Sequence, residues 1–343
     1  MTRSRDLADS QDNLGGAVAP FVAGKNKIIN GDFGIWQRGT SFNTNASYCA
    51  DRWLPLWDGS GATRTISQQT FTPGTAPVSG YEGQYFLRFA QSVAGTGSTY
   101  NVVNQRIEDV RNFAGQSVSF SFWAKASGSI SMASAPSLNQ NFGSGGSATV
   151  YQGFPLGTAP ALTTSWQRFT FTTTVPSISG KTIGTSSYLE IGFNLPLNTT
   201  FTIDIWGVQL EAGSVATPFT TASGSIGGEL ALCQRYYQRF TNLSAYERFG
   251  FGSAVSTSAV QITVPLKVTL RTTASAIDYA GITIYDGTTQ STAATSVVLD
   301  SASANFPEVT ISGSIGVTTI YRPYWAIGNG TVNGSYLGFS AEL

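Results

Sequence analysis

Most of the chain alternates hydrophobic and polar residues, which is the pattern of β-strands that bury one face. In QSVSFSFWAKA, Phe120 and Phe122 alternate with serines. The segments SWQRFTFTTTVP and TTFTIDIWGVQLEAG repeat this period of two. Strict alternation in the last segment places Ile205 on one face and Val208 on the other. Eight or more such segments over residues 26–219 predict a two-sheet antiparallel sandwich.

The segment KNKIINGDFGIWQRG predicts the first strand and turn of this sandwich. Asn30 and Gly31 both tolerate positive φ, so the pair favours a tight turn. Ile28 and Ile29 supply apolar surface before the turn, and Phe33 supplies it after the turn. We therefore expect an extended strand that contributes these side chains to the core.

One segment, GELALCQRYYQRF, has the period of an amphipathic helix. Ser225 is a suitable N-cap, and Glu229 in the first turn complements the helix dipole. Residues 220–240 are therefore predicted to hold a short helix that connects two β domains; packing against copies of itself in an oligomer is the alternative. The apolar stripe consists of Leu230, Cys233, Tyr237 and Phe240.

The chain returns to strand periodicity after this segment. Val260, Ile262 and Val264 share one face of a predicted strand. Pro265 lies in the same run, and because proline cannot donate to a sheet ladder it predicts an edge strand or a bulge. Residues 241–343 are thus predicted to form a second, smaller β-sandwich, and the fold class is all-β.

Composition narrows the functional classes. Charged residues make up 11% of the 343 residues, with 19 basic and 19 acidic side chains and no basic cluster. The chain therefore lacks the positive footprint of a nucleic-acid-binding protein, and it has no run of about 18 apolar residues that would predict membrane insertion. Histidine is absent, which removes Ser-His-Asp and Cys-His catalytic arrangements and leaves paired carboxylates as a route to hydrolysis.

Two further features bear on the cellular compartment. Cys49 and Cys233 are far apart in the sequence, which predicts two structural thiols rather than a disulfide. The N-terminal MTRSRDLADSQDNLGG lacks the apolar core of an export signal, so we expect synthesis in a cytoplasm and release on lysis. Residues 1–25 carry mixed charge and predict either a flexible tail or an arm that orders against another protein.

Seven segments, taken in order, resemble phage and prophage tail-fibre proteins that carry a carbohydrate-binding-module-like jelly roll. They are INGDF, QRIEDVRNFAGQSVSFSFWAKA, SWQRFTFTTTVP, FTIDIWGVQLEAGSVATPF, GGELALCQRYYQRF, YRPYWAIGNG and GSYLGFSAEL. The resemblance spans about residues 26–343 and implies a jelly-roll sandwich over residues 26–219. It also implies a homotrimer in the virion, at the tail or particle surface. Residues 1–25 would dock it onto other virion proteins, and its ligand would be a host surface polysaccharide.

Aromatic residues beside turn and amide residues are the candidate glycan contacts, because sugar rings stack on aromatic faces and hydrogen-bond along their rims. The segments DRWLPLWDGSG, VYQGFPLG and YRPYWAIGN have this composition. The alternative is that most rings belong to the core, as we expect for Phe33, Trp36, Trp53, Trp123 and Trp206. The candidate glycan-binding residues are Trp57, Asp58, Tyr151, Phe154, Tyr324 and Trp325.

The resemblance further implies a structural calcium near the first and last strands of the jelly roll, where Asp32 and Asp204 stand. Two carboxylates supply only part of the six to eight oxygens that calcium takes. We expect no other cofactor.

An enzyme would need two cooperating carboxylates. Glu108 and Asp109 are adjacent on a predicted strand and point to opposite faces, and Asp51 with Asp58 is the remaining pair. We therefore expect no catalytic site. The leading interpretation is a non-enzymatic tail fibre that recognises a host glycan. The alternatives are a structural virion component without a glycan ligand (a capsid-surface fibre or tail adaptor) and a glycan-cleaving tailspike.

Overall fold

The structure is a computed structural model that describes residues 23–78, 81–154, 159–288, 290, 294–313 and 319–343. Within these ranges the chain forms twenty-two strands and one helix, α1 (Ile226–Gln234). The strands build two sandwiches, one before and one after the helix in sequence, so the predicted all-β fold is confirmed. The predicted docking arm, residues 1–25, lies outside the described residues except for its last three positions.

The first sandwich packs a six-stranded sheet against a five-stranded sheet. The six-stranded sheet runs in the order β1 (Ser41–Phe42), β3 (Thr63–Thr70), β4 (Tyr85–Val93), β13 (Phe201–Ala212), β6 (Ser117–Ala126) and β11 (Gln167–Thr174). The five-stranded sheet runs in the order β2 (Trp53–Trp57), β5 (Asn101–Glu108), β12 (Tyr188–Asn194), β8 (Ser137–Asn141) and β9 (Val150–Tyr151). A short ribbon pairs β7 (Ile130–Ser131) with β10 (Ala161–Leu162). The chain passes repeatedly from one sheet to the other, as in a jelly roll.

Aromatic side chains from both sheets fill the core of the first sandwich. Phe120 and Phe122 of β6 are fully buried, as their alternation predicts. Phe122 meets Phe193 of the opposite sheet edge-on, with ring centroids 4.8 Å apart. Trp53 of β2 lies 5.1 Å from Phe33, again between ring centroids. Burial of such large rings is the main source of stability for a sandwich of this size.

The predicted first strand is not a regular strand. Asn30 adopts a positive φ of 58° and forms the predicted turn, but Ile28 lies in a segment outside the sheet ladders. Two backbone hydrogen bonds join this segment to β13. The Asn26 side chain adds two more, because it accepts from the N–H of Leu210 at 3.1 Å and donates to the carbonyl of Val208 at 3.1 Å.

A bulge in β13 changes the predicted alternation. Gly207 has a φ of 64°, and the register with β6 shifts between Trp206 and Gln209. Because the bulge inserts one extra residue, Val208 turns into the same core as Ile205, and Trp206 joins a separate aromatic cluster. The prediction that Val208 and Ile205 occupy opposite faces is therefore wrong.

Helix α1 is shorter than the apolar stripe predicts. Ser225 caps it by accepting the N–H of Gly228 at 3.1 Å, as expected. Tyr237 and Phe240, which the stripe assigned to the helix, lie instead in β14 (Tyr237–Thr241), which pairs with the last strand of the chain. Sheet pairing outweighs the weak helix preference of this aromatic-rich segment.

The second sandwich packs a three-stranded sheet against a six-stranded sheet. The three-stranded sheet runs β14, β22 (Tyr336–Ser340) and β17 (Ala276–Ala280). The six-stranded sheet runs β18 (Ile282–Tyr285), β21 (Pro323–Gly328), β15 (Arg248–Ser256), β16 (Ala259–Thr263), β20 (Glu308–Ser312) and β19 (Ser296–Ser301). Val260 and Ile262 point into its core as predicted. Strand β16 is internal and ends before Pro265, so this proline follows a strand end rather than marking an edge strand or a bulge.

The last residues of the chain join the two sandwiches. The Glu342 carboxylate pairs with the buried guanidinium of Arg52 and lies 3.3 Å from Arg38, both in the first sandwich. The guanidinium of Arg52 also lies 3.5 Å from the centre of the Tyr236 ring. The hydroxyl of Tyr48 donates to the carbonyl of Leu343 at 3.0 Å. We call these contacts the inter-sandwich joint.

Cys49 and Cys233 are two separate, buried thiols, as predicted. Burial raises the pKa of Cys49 to about 12, so this thiol stays protonated at neutral pH. In the part of the chain that the structure describes, no helix is long and apolar enough to cross a membrane.

Candidate functional site

The outer face of the five-stranded sheet carries a continuous set of polar side chains. Leu189, Ile191 and Phe193 of β12 point into the core, so the residues between them point outward. Residues paired with these across the ladders share the outer face, and we call the set the amide face. It consists of Asn104, Arg106 and Glu108 of β5, Tyr188, Glu190 and Asn194 of β12, Ser137, Asn139 and Asn141 of β8, and Tyr151 of β9.

A row of four side chains crosses the middle of the amide face. Tyr151, Asn139, Glu190 and Arg106 are neighbours across β9, β8, β12 and β5. Arg106 Nε donates to Glu190 Oε2 at 3.2 Å, and Asn139 Nδ2 donates to Glu190 Oε1 at 3.3 Å. Both carboxylate oxygens are therefore held in place by neighbours on adjacent strands, which is the pre-organisation that a recognition site needs.

One tyrosine, Tyr151, ends this row, and a second, Tyr188, lies beside it on β12. The Arg106 guanidinium lies 4.8 Å from the centre of the Tyr188 ring, a cation–π contact that fixes the ring orientation. Burial raises the pKa of the Tyr188 phenol, although the Arg106 guanidinium lowers it. Tyr151 is 79% exposed. The amide face thus presents one half-buried ring and one exposed ring.

Asn104 lies on the floor of the amide face, opposite Gly192. Its side chain is 5% exposed, and its Oδ1 accepts no hydrogen bond from the described residues. Gly192 leaves room for it, because a Cβ at position 192 would lie 1.7 Å from Asn104 Oδ1. The carboxamide of Asn104 thus fills the space beside Gly192 and forms the floor on which the outward side chains stand.

The amide face has the chemistry of carbohydrate recognition. Amides and a carboxylate suit the hydroxyl rim of a sugar, and tyrosine rings suit its CH faces. Of its two carboxylates, Glu190 is held by Arg106 and Asn139, and Glu108 pairs with Arg235 at 3.0 Å.

Trp57 and Asp58, predicted to contact a glycan, are half-buried and also make structural contacts. The Trp57 ring meets Phe89 edge-on at 6.2 Å and packs at the margin of the core. The Asp58 carboxylate accepts from the N–H groups of Thr99 at 2.7 Å and Tyr100 at 3.0 Å, and from two hydroxyls. Hydrogen bonds from Thr99 and Tyr100 lower the pKa of Asp58 to about 2. Asp58 therefore fastens the turn that precedes β5.

The other predicted aromatic contacts fall in three different places. Phe154 is buried and stacks on Phe120 with centroids 5.7 Å apart, so it is a core residue. Tyr324 is buried in the core of the second sandwich. Trp325, next to it on β21, points to the opposite face and lies beside Phe251. Tyr151 belongs to the amide face, so the structure does not bring the predicted glycan contacts together.

The predicted calcium ligands bond to different partners. Arg88 donates to both carboxylate oxygens of Asp204, at 2.7 and 2.9 Å, and Lys125 lies 3.7 Å from Asp204. Asp32 accepts from the Tyr81 hydroxyl at 3.0 Å, and its burial raises its pKa. A calcium ion at Asp204 would have to displace two cations. Searched over the described ranges, the chain has no group of three or more acidic, histidine or cysteine side chains that could hold a metal.

The candidate catalytic carboxylates are engaged in structural contacts. Asp51 is buried, which raises its pKa to about 6, and it accepts from the backbone of Gln37 at 3.1 Å. Glu108 pairs with Arg235 at 3.0 Å. Asp109 pairs with the arginine two residues later. Each carboxylate thus has a partner of its own.

The amide face shows what sequence reasoning missed. Its signal lies in NVVNQRIE and YLEIGFN, where apolar residues alternate with asparagine, arginine and glutamate rather than with serine and threonine. Side chains of this length and polarity on neighbouring strands can bond to one another, and here Arg106 and Asn139 both bond to Glu190.

No protein-family model and no curated protein matches this sequence. Solved structures match about half of the chain. A structure described as "CBM4 structure and function" is 22% identical, with a TM-score of 0.33; the match covers 54% of this chain and 98% of that chain. A family 11 carbohydrate-binding module from Clostridium thermocellum, in complex with a β-1,3-1,4-mixed-linked tetrasaccharide, is 12% identical with a TM-score of 0.31, covering 51% of this chain and 97% of that one.

A third match is the enzymatically active domain of tailspike protein 4 of bacteriophage CBA120. It is 19% identical, with a TM-score of 0.30, and the match covers 55% of this chain but only 22% of that chain. The solved structures that match are thus mainly carbohydrate-binding modules. At TM-scores this low the matches carry no functional inference, which has to come from the residues themselves.

Proposed function

We propose that this chain is a non-enzymatic glycan-binding component of a bacteriophage virion, a tail fibre that recognises a host surface polysaccharide. The observation that carries the proposal is the amide face. It is a sheet surface on which amides, two carboxylates and two tyrosines stand in register.

The virion assignment rests on the ordered resemblance of seven segments to tail-fibre proteins. In this proposal residues 1–25 bind other virion proteins, and three copies assemble so that weak sugar contacts add up through avidity. The protein would be made in the host cytoplasm and leave with the particle on lysis. The inter-sandwich joint supports a fibre role, because it holds the two sandwiches together through buried charged contacts.

Binding of labelled full-length protein to candidate host cells, with soluble surface polysaccharide as competitor, tests this proposal. We expect saturable binding that the polysaccharide competes. Tyr188→Ala should weaken binding roughly fivefold, since an aromatic contact contributes about 1 kcal/mol. The matched control is Tyr321→Ala, a tyrosine of the second sandwich that is 84% exposed, which should bind like the unmodified protein.

Three results would contradict the proposal in different ways. Absence of binding to hosts that the parent particle infects would favour a structural virion component. If the polysaccharide competes for binding and Tyr188→Ala binds as tightly as the unmodified protein, the amide face is not the binding site. Release of new reducing ends from the polysaccharide would establish a tailspike-like enzyme instead.

A further inference from the structure

The second sandwich carries an open aromatic cleft on the outer face of its six-stranded sheet. The cleft has a volume of about 490 Å³, within the usual range for small-ligand sites. Its lining includes Arg248, Phe251, Thr263, Pro265, Phe306 and Trp325, and we call it the β15 cleft.

The aromatic side chains of the β15 cleft are unusually exposed. Phe251 is 53% exposed and Phe306 is 61% exposed. Phe251, Trp325 and Tyr285 are neighbours across β15, β21 and β18, with centroids 5.7 and 6.1 Å apart. Three adjacent rings on an open sheet face form a strip on which a chain of pyranose rings could stack.

The charge of the β15 cleft comes from Arg248. Its guanidinium lies 4.8 Å from the centre of the Trp325 ring, which holds it at one end of the cleft. It forms no ion pair with any residue in the described ranges, and the lining residues include no acidic side chain. A stacked guanidinium keeps its edge N–H groups available for bidentate binding of a carboxylate.

We propose that the β15 cleft is a subsite for an acidic sugar. Arg248 binds the sugar carboxylate, and Phe251, Phe306 and Trp325 contact the CH face of the ring. Arg248 is exposed, so the gain from an acidic sugar is the charge-assisted hydrogen bond to its carboxylate, which a neutral sugar does not supply. The inference rests on the proposed function only in that the ligand is a glycan; it uses no residue of the amide face.

Titration calorimetry of the full chain with a trigalacturonate and with its fully methyl-esterified form tests this subsite. The two probes have the same ring system and differ in charge. We expect the acid to bind roughly tenfold more tightly than the ester, since a charge-assisted hydrogen bond is the difference between them. Added NaCl should weaken binding of the acid and leave the ester unchanged.

Three variants locate the effect. Arg248→Gln should lower the affinity for the acid to that for the ester. Phe306→Ala should weaken both probes, because both use the aromatic wall. Arg111→Gln, at an exposed arginine of the first sandwich, is the matched control and should bind both probes as the unmodified protein does.

Equal affinity for acid and ester, or an unchanged titration of Arg248→Gln, would overturn the inference. The inference would also be overturned if neither probe binds and the protein instead self-associates with rising concentration in a way that Phe306→Ala abolishes. The cleft would then be a contact between copies of the chain. The cell-binding assay tests the proposed function separately from this subsite. Tyr188→Ala should weaken binding of the protein to cells and should leave the trigalacturonate titration unchanged.

Discussion

Asn104 and Gly192 face each other across β5 and β12, and the carboxamide of Asn104 occupies the space that a side chain at position 192 would fill. The glycine is therefore needed for room rather than for backbone freedom. The geometry of the amide face therefore depends on Gly192, which has no side chain to contact a ligand.

We expect Gly192→Ala to weaken polysaccharide binding by about tenfold or more while the protein stays folded. The new methyl group would lie 1.7 Å from Asn104 Oδ1, so the carboxamide must leave its position. Overpacking of this kind costs roughly 1–3 kcal/mol of unfolding free energy. Urea unfolding and the cell-binding assay measure the two effects.

The control for this prediction is a double-mutant cycle with Asn104→Ala. Once the carboxamide is gone, Gly192→Ala should cost far less, because only the Ser137 hydroxyl, 3.2 Å from the new methyl group, has to shift. An equal cost of Gly192→Ala with and without Asn104 would show that the clash lies with another group.

The sequence predicts the regular parts of this fold and fails where a single residue breaks periodicity. The alternation around Phe120 places that strand correctly because its partners continue the ladder. The assignment of Val208 fails because the bulge at Gly207 inserts one residue. Tyr237 joins a strand because a segment one hundred residues later pairs with it. Neither long-range pairing nor the position of a bulge can be read from local pattern.

Asp58→Asn should lower thermal stability at neutral pH without changing polysaccharide binding. Four donors around Thr99 and Tyr100 hold this carboxylate, and they lower its pKa to about 2. Because the folded-state pKa lies below the unfolded value near 4, this stabilisation is present above about pH 4 and is lost as the pH falls through about 2.

Melting temperatures across this pH range check the prediction. The difference between the unmodified protein and Asp58→Asn should be largest near neutral pH and should shrink towards pH 2. If a folded Asp58→Asn variant loses polysaccharide binding, Asp58 contacts the ligand and the prediction is wrong.

The pKa of Asp51 predicts the opposite pH dependence. Burial raises it to about 6, although Arg38 and Gln37 lower it. Between the unfolded value near 4 and this value the folded state binds more protons, so stability falls as the pH rises from about 4 to about 6 and is then constant. The shift corresponds to a change on the order of 2–3 kcal/mol.

Unfolding free energies of the unmodified protein and of Asp51→Asn isolate this group. As the pH rises from about 4 to about 6, the unfolding free energy of the unmodified protein should decrease relative to that of Asp51→Asn. Parallel pH profiles of the two proteins would mean that Asp51 titrates at its ordinary pKa.

The site was harder to predict than the fold because its residues are ordinary ones. Asn139 and Glu190 come from distant segments and become a row only through the register of β8 with β12. Rings such as Phe154 looked like ligand contacts in the sequence, since a core aromatic beside turn residues has the same local composition as an exposed one. Which face each ring occupies is decided by pairing, and Tyr324 and Trp325 show this at adjacent positions.

Glu342→Gln should destabilise the protein by about 3–5 kcal/mol, because it leaves Arg52 buried without its carboxylate partner. The guanidinium of Arg52 is 1% exposed and cannot regain water without opening the inter-sandwich joint. We therefore expect the variant to unfold in two transitions by calorimetry, one for each sandwich.

The exposed pair of Arg111 with Asp109 gives the control: Arg111→Gln should change the unfolding free energy by under about 0.5 kcal/mol. A similarly small change for Glu342→Gln would mean that the inter-sandwich joint contributes little to holding the two sandwiches together. The amide face and the β15 cleft would then bind their ligands independently of each other.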